Sequence, residues 1–410
     1  MEAAHDTTKS GAIDHQPLTR RSCLAGLAGG ALLVGSGGAG LAPQTASAEQ
    51  RSGSPVWADR AEAAWDALRK NFAVNDGSGL YREHYPVSPE DRKYSFEWPF
   101  SQAHAAVQDL VGIPVVGRSY RPALTRHRRA QKEYWDDEGS TGRPGFASYP
   151  VAPYGDGGDF FYDDSEWVGL LDIQHWNRFH DDASLREAQR VFDLVISGWD
   201  DDTTHAAPGG VFWTQAPWSQ DRNTVSNMPA ALLGLGLYRI TGMRIYLDWS
   251  VRMYEWTNRN LQRDNSLYND HLGLEGAVDP TVWSYNQGIP IAVNCLLADL
   301  TGQRRYLREA RRIAAAAADF YGTAALDGQP VFFNSIYFKC LLLLEYYTGG
   351  RESLQTMRAY GERLWRNHRD RSTGLFQFAG DGTTQMIEQA AVTQIFAVLG
   401  WPRHDYRLLA

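Results

Sequence analysis

The sequence predicts an all-α chain closed into an (α/α)6 toroid, a ring of six helical hairpins. Three observations predict it: about twelve helical stretches, their alternation between two kinds, and a short aromatic segment that recurs ahead of every second one. The recurring segments are Gly79-Leu80-Tyr81, Gly145-Phe146-Ala147, Gly210-Val211-Phe212, Ser266-Leu267-Tyr268, Pro330-Val331-Phe332 and Gly374-Leu375-Phe376, spaced 44 to 66 residues apart. Each hairpin buries one helix behind another, and six in a ring leave no apolar edge exposed.

In chain order, a first outer helix is expected over 56–74, then five inner/outer pairs and a last inner helix near 383–399. Met228 to Tyr238 and Phe332 to Tyr346 are apolar nearly all round, as inner helices must be. Ile245, Trp249, Met253 and Trp256 recur at helical spacing among Arg244, Asp248, Arg252 and Glu255, so that helix is outer, with one wet face. Tyr306, Ala310, Ile313 and Ala317 repeat the pattern amid Arg304, Arg308 and Arg312. Thr241-Gly242, Thr301-Gly302 and Thr348-Gly349 end inner helices with a glycine suited to a left-handed cap, and His180-Asp181-Asp182 fills the equivalent place once. Pro99, Pro229 and Pro290 are read as early helical residues, where a missing N–H costs little.

The first 48 residues read differently. Thr19-Arg20-Arg21-Ser22-Cys23-Leu24 opens a Gly/Ala/Leu stretch that closes on Ala46-Ser47-Ala48, the pattern of a cleaved twin-arginine export signal. Five glycines between Gly29 and Gly38 make the stretch too weakly apolar for a membrane span. A secreted product is expected, with residues 49–410 as one domain. Cys295 and Cys340 sit on apolar helical stretches and read as buried thiols, with a single disulfide between them left open.

Net charge is −8 and no basic stripe is interleaved with aromatics, which argues against a nucleic-acid partner. The densest basic run, Arg121 to Arg129, reads as a solvated helix face. Fourteen Trp and 20 Tyr point weakly toward carbohydrate, because flat rings with one polar edge suit sugar faces as well as cores. Metal, nucleotide and Ser- or Cys-nucleophile motifs are absent, so no cofactor is implied.

In the predicted ring the amino ends of all inner helices meet at one mouth. The residues expected there are Trp98-Pro99-Phe100-Ser101-Gln102, Tyr162-Asp163-Asp164, Ser226-Asn227-Met228-Pro229, Trp283-Ser284-Tyr285-Asn286-Gln287, Asn334-Ser335 and Glu388-Gln389. Amides, hydroxyls, indoles and carboxylates together suit a polyol, whose hydroxyls both donate and accept. Asp163-Asp164 is the sharpest feature. Retaining glycosidases use two carboxyl groups about 5 to 5.5 Å apart, and neighbours at a helix start can reach that separation. Acidic residues also favour helix starts for capping and dipole reasons, which from local sequence alone is the favoured explanation of the pair. Among the acidic runs, only this one begins an inner helix behind an aromatic run, Phe160-Phe161-Tyr162; Asp136-Asp137-Glu138, Asp181-Asp182 and Asp200-Asp201-Asp202 read as solvated loops, the last as a calcium site at most.

These pieces resemble glycoside hydrolase family 76, the endo-α-1,6-mannanases, in order and spacing. The resemblance rests on Trp98-Pro99-Phe100-Ser101-Gln102, Tyr162-Asp163-Asp164, Val225-Ser226-Asn227-Met228-Pro229-Ala230 and Ser284-Tyr285-Asn286-Gln287-Gly288, with lesser agreement at Phe338-Lys339 and Glu388-Gln389-Ala390. It implies an (α/α)6 fold, retention of anomeric configuration, Asp163 as nucleophile and Asp164 as general acid/base. Trp98, Asn227, Tyr285, Asn286 and Gln287 are read from position as groove residues. Met228 and Trp283-Ser284 depart from the family's usual residues and bear on substrate preference. The expectation is a monomeric, exported mannanase with α-mannan as its partner and no stable membrane insertion. Alternatives are a related (α/α)6 glycosidase or epimerase acting on another glycan, and a carbohydrate-binding pseudoenzyme.

Overall fold

The computed structural model describes residues 54–410; residues 1–48, read from the sequence as an export signal, and Cys23 with them, lie outside the described residues. Twelve long helices alternate outer and inner among those residues. The outer ones are α1 (Pro55–Phe72), α3 (Gly117–Gln131), α5 (Asp182–Ser197), α7 (Arg244–Asn260), α9 (Arg304–Tyr321) and α11 (Glu352–Asn367). The inner ones are α2 (Glu97–Val111), α4 (Tyr162–Phe179), α6 (Thr224–Thr241), α8 (Ser284–Thr301), α10 (Val331–Thr348) and α12 (Met386–Leu399). Each inner helix packs on the next, α12 packs on α2, and the ring is closed as an (α/α)6 toroid. Closure pairs the first outer helix with the last inner one: α1 lies on α12, and Gln389 Nε2 donates to the Ala64 carbonyl at 2.8 Å.

Burial follows the two helix kinds. All fifteen residues of α2 are buried, whereas α9 buries only Tyr306, Ala310, Ile313, Ala317 and Tyr321. Both are what period-3.6 patterning requires of a helix surrounded on every side and of one with a wet face.

The left-handed caps stand where the sequence places them. His180, Gly242, Gly302 and Gly349 have φ of 53°, 68°, 70° and 85°, and each donates its N–H to the carbonyl four residues back. A Cβ built on Gly302 would meet nothing within 4 Å, so the cost of a side chain there is one of backbone conformation alone. Gly302→Ala is therefore expected to lose about 1 kcal/mol, and His180→Gly to gain a similar amount, read from urea unfolding midpoints.

Three expectations are corrected. Pro229 and Pro290 lie in the second turn of α6 and α8, not at their starts, because those helices begin earlier than the apolar runs suggest. A proline there has no N–H to give, so the Val225 and Asn286 carbonyls lose their helical partner at the mouth. Pro330-Val331-Phe332 is the cap and first turn of α10, while the other five aromatic segments form antiparallel bridges to the end of the preceding outer helix or the residues just after it. Asp200 is a buried counter-ion of Arg222, at 2.5 Å, and not part of a solvated loop. Cys295 and Cys340 are free and buried.

Short strands tie the loops together. β1 (His84–Tyr85) pairs with β7 (Thr384–Gln385), and β2 (Trp135–Asp136) with β3 (Gly145–Phe146). β4 (Asp221–Asn223), β5 (His271–Gly273) and β6 (Val278–Asp279) form an antiparallel sheet in that order, just ahead of α6 and α8. Near β1, Glu83 is fully buried and accepts the Phe96 N–H at 2.9 Å; burial pushes its carboxyl up to about 8, with that hydrogen bond acting against it. The folded chain thus holds this proton more tightly than the unfolded one, and stability falls as pH rises from the ordinary glutamate range through about 8. His127 and His175, lowered to about 4 by burial, act in the opposite sense only below their ordinary value. Between pH 6.5 and 8 the unfolding free energy is expected to fall by up to about 1.4 kcal/mol per pH unit per such group, and Glu83→Gln to flatten that slope.

Candidate active site

The mouth is built from the first turns of the inner helices. Four of them carry an amide at the fourth helical position: Asn227 in α6, Gln287 in α8, Asn334 in α10 and Gln389 in α12. Asn227 Oδ1 accepts the Val211 N–H at 2.9 Å, Gln287 Oε1 accepts the Tyr268 N–H at 2.7 Å, and Gln389 Oε1 accepts the Phe376 N–H at 2.9 Å. The amides of Asn227 and Gln287 also donate to Asn223 and Tyr268 carbonyls. The repeating aromatic segment is therefore pinned by its own inner helix. Asn227 and Gln287, fully buried, hold the loops that shape the mouth.

Asp163 and Asp164 are the second and third residues of α4. Asp163 is fully buried and Asp164 half-buried. The run before them is held from outside: Tyr162 donates its N–H to the Trp213 carbonyl at 3.0 Å, Gln215 donates its own to Phe160, and Thr214 Oγ1 donates to the Phe160 carbonyl at 2.7 Å. With φ/ψ so fixed, both carboxyl groups sit at the positive end of the α4 dipole, which favours an anion there.

At the same end of the ring, first-turn residues of α2, α8 and α10 form an aromatic cluster. Tyr285 stacks on Phe333 with centroids 4.0 Å apart, Trp98 lies 6.1 Å from Phe333 and edge-on to Phe332 at 5.4 Å, and Trp283 lies 5.5 Å from Phe333. Trp98 and Tyr285, from α2 and α8, are thus brought together across the ring. Asn286 donates through Nδ2 to Asp270 Oδ1 at 3.0 Å, linking α8 to the three-stranded sheet.

Three residues were not foreseen from sequence. Glu97, beside Trp98, is fully buried; its Oε1 accepts from Gln131 Nε2 at 2.6 Å. Burial first, and then the Asp164 charge, hold its carboxyl well above the usual range, against the Gln131 bond. Trp218 is 50% exposed beside the catalytic candidates, packed at 6.1 Å from Phe161 and donating through Nε1 to Asp159 at 3.2 Å. Asp270 sits with His271 and Asp279, one ligand atom of each lying within 4.8 Å of the others, the group of described residues whose geometry suits a metal ion. Burial alone would lower His271, but its hydrogen bond to Asp270 and the charges of Asp270, Asp221 and Asp279 raise it, so a proton competes for that position.

Comparison with known proteins follows the same lines. The model of Glycosyl hydrolase family 76 matches residues 143–344. The mannan endo-1,6-alpha-mannosidase DCW1 of Candida glabrata is 28% identical over 147 residues, 34% of this chain and 32% of the relative; that of Saccharomyces cerevisiae is 29% identical over 143 residues, 33% and 31%. The chain spans about a third of the length of these curated relatives. Among solved structures, a family 76 mannosidase of Bacteroides thetaiotaomicron is 21% identical, with a TM-score of 0.74 over 84% of this chain and 98% of its own. An inactive α-1,6-mannanase variant of Salegentibacter, with two adjacent aspartates changed to asparagine and α-1,6-mannotriose bound, is 19% identical, with a TM-score of 0.68 over 84% and 99%.

Proposed function

We propose that the chain, whose residues 143–344 match glycoside hydrolase family 76, is an exported, retaining endo-α-1,6-mannanase. The observation that carries this reading is the Asp163-Asp164 pair at the start of α4, one carboxyl fully buried and one half-buried, at the end of the ring where the inner helices begin. The Salegentibacter mannanase, inactive once two adjacent aspartates are replaced, supports it. Export is proposed from the twin-arginine pattern alone.

The chemistry follows from two carboxyl groups in different surroundings. The Asp163 carboxylate attacks C1 of the mannosyl unit while Asp164 gives its proton to the departing O6, breaking the C1–O6 bond and leaving a mannosyl ester on Asp163. Water then attacks C1, its proton passes to Asp164, and the Asp163 carboxylate is released with the original anomeric configuration restored.

Glu97 fits this scheme as a positioning group. Three carboxyl groups near one another cannot all ionise freely, so the set keeps its last protons to a higher pH than a lone carboxyl would. Glu97→Gln keeps the shape and the contact with Gln131 but removes one ionisable member. The alkaline limb of the kcat/KM profile is expected to move down by about half a pH unit or more.

The deciding experiment is NMR of early products from linear α-1,6-mannan. Internal cleavage with retained α configuration is expected. Inverted product, or turnover of other α-glycans in preference, would overturn the proposal.

A further inference from the structure

Away from the mouth, a pocket of about 360 Å³ opens between the carboxyl end of α7 and the loop that follows α5. Its floor is the half-buried Trp199 indole and Gly209, backed by the buried Trp256, and its rim carries Arg252, Glu255 and Arg259 from successive turns of α7. Two features set it apart from an ordinary surface depression.

The first is that the floor is fixed in place, with the loop backbone laid tightly against the two indoles. Gly209 has φ of +110°, and a Cβ there would lie 2.7 Å from Trp256 and 2.8 Å from Trp199. The loop is held from beneath by Arg222, which is fully buried, pairs with Asp200, donates to the Ala206 and Gly273 carbonyls at 2.9 and 3.1 Å, and lies over Trp256 at 5.6 Å. The second feature is the chemistry of the rim. Arg252 lies over the Trp199 and Trp249 rings at 4.4 and 4.7 Å, and Glu255 stands between it and Arg259 on the same face of α7.

We propose that this pocket is a second carbohydrate-binding site, taking one neutral hexopyranosyl unit of a polysaccharide outside the cleft. Its volume lies at the lower end of ligand pockets, about 300 to 1,000 Å³, which suits one sugar ring. The half-buried Trp199 below and mixed donors and acceptors above match a ring with an apolar face and hydroxyls that do both. A phosphate only accepts, so Glu255 and the exposed Asp201 at the rim would repel it. An outer helix ends where inner helices begin, so the pocket opens at the same end of the ring as Asp163. A long or branched chain engaged in both sites gains by effective concentration.

The site is independent of which glycan is cleaved, so its test uses binding. In the Asp163→Asn background, native gel mobility is measured in soluble yeast α-mannan and in a panel of other neutral polysaccharides. Glu255→Ala/Arg259→Ala, exposed on α7, and Trp199→Ala are expected to weaken retardation by about tenfold, a loss of one or two hydrogen bonds or a ring platform. In the active background the exposed double variant keeps its kcat/KM on a short α-1,6-mannotetraoside. Unchanged retardation in the double variant, a parallel loss on the short substrate, or displacement by millimolar inorganic phosphate would each overturn the proposal. Failure of the mannanase reading shows separately, as absence of turnover by the unmodified protein.

Discussion

Asp163→Ala is expected to lower kcat on α-1,6-mannan by about 10⁴-fold or more, with binding of the polymer retained. The side chain is fully buried at the second position of α4, so its removal leaves a small space at the helix start. That space admits azide. Assay of the variant with an activated α-mannoside and azide is expected to give the β-mannosyl azide, because the anion attacks from the side the carboxylate has vacated. Asp164→Ala is expected to give the α-mannosyl azide instead, since its ester still forms on Asp163 and is then opened from the other face. The same azide anomer from both variants would overturn the assignment of roles.

Arg222→Met is expected to cost about 3 to 5 kcal/mol, read as a lower urea midpoint. The reason is what it leaves behind. Asp200 would keep a buried carboxyl with His205 at 3.0 Å as its remaining ionic neighbour, and the Ala206 and Gly273 carbonyls would lose their donor. Replacing Asp200 as well, in Arg222→Met/Asp200→Leu, removes the stranded charge and is expected to recover part of the loss. If the double variant is as unstable as the single one, the cost lies in the loop backbone and not in the unpaired carboxyl.

The ring was legible from the sequence because its signals are local and repeated. Inner helices lack a wet face, outer ones have one, and Gly242, Gly302 and Gly349 punctuate them with the one residue type that enters the left-handed region freely. The aspartate pair was legible for the same reason, since it stands at a helix start behind Phe160-Phe161-Tyr162. Glu97 was not. One residue before Trp98 it reads as an ordinary first-turn acid, and its meaning comes from Gln131 on another helix and Asp164 on a third. Trp218 escaped because it lies in a loop with no period to reveal it, and Asp270 because short strands of two or three residues leave no alternation. The prolines in α6 and α8 were misplaced by the opposite effect: polar first turns such as Thr224-Val225-Ser226-Asn227 hide helical residues that are buried by the ring and not by their own apolarity.

The pairing of α1 with α12 has a consequence for how the protein folds. All-helical chains are usually fast folders because their contacts are near in sequence. Here the seam joins residues 325 positions apart, Gln389 to Ala64, and 292 apart, Gln394 to Gln102. Until α12 exists, the apolar side of α1 lacks its main partner: Trp65 meets His127 of α3, but Trp57 packs on Phe396 of α12. The entropy of drawing the ends together grows only slowly with loop length, so the closed state is not penalised for its size. Its formation is nevertheless delayed to the last helix made, and the waiting chain exposes a sticky flank throughout synthesis.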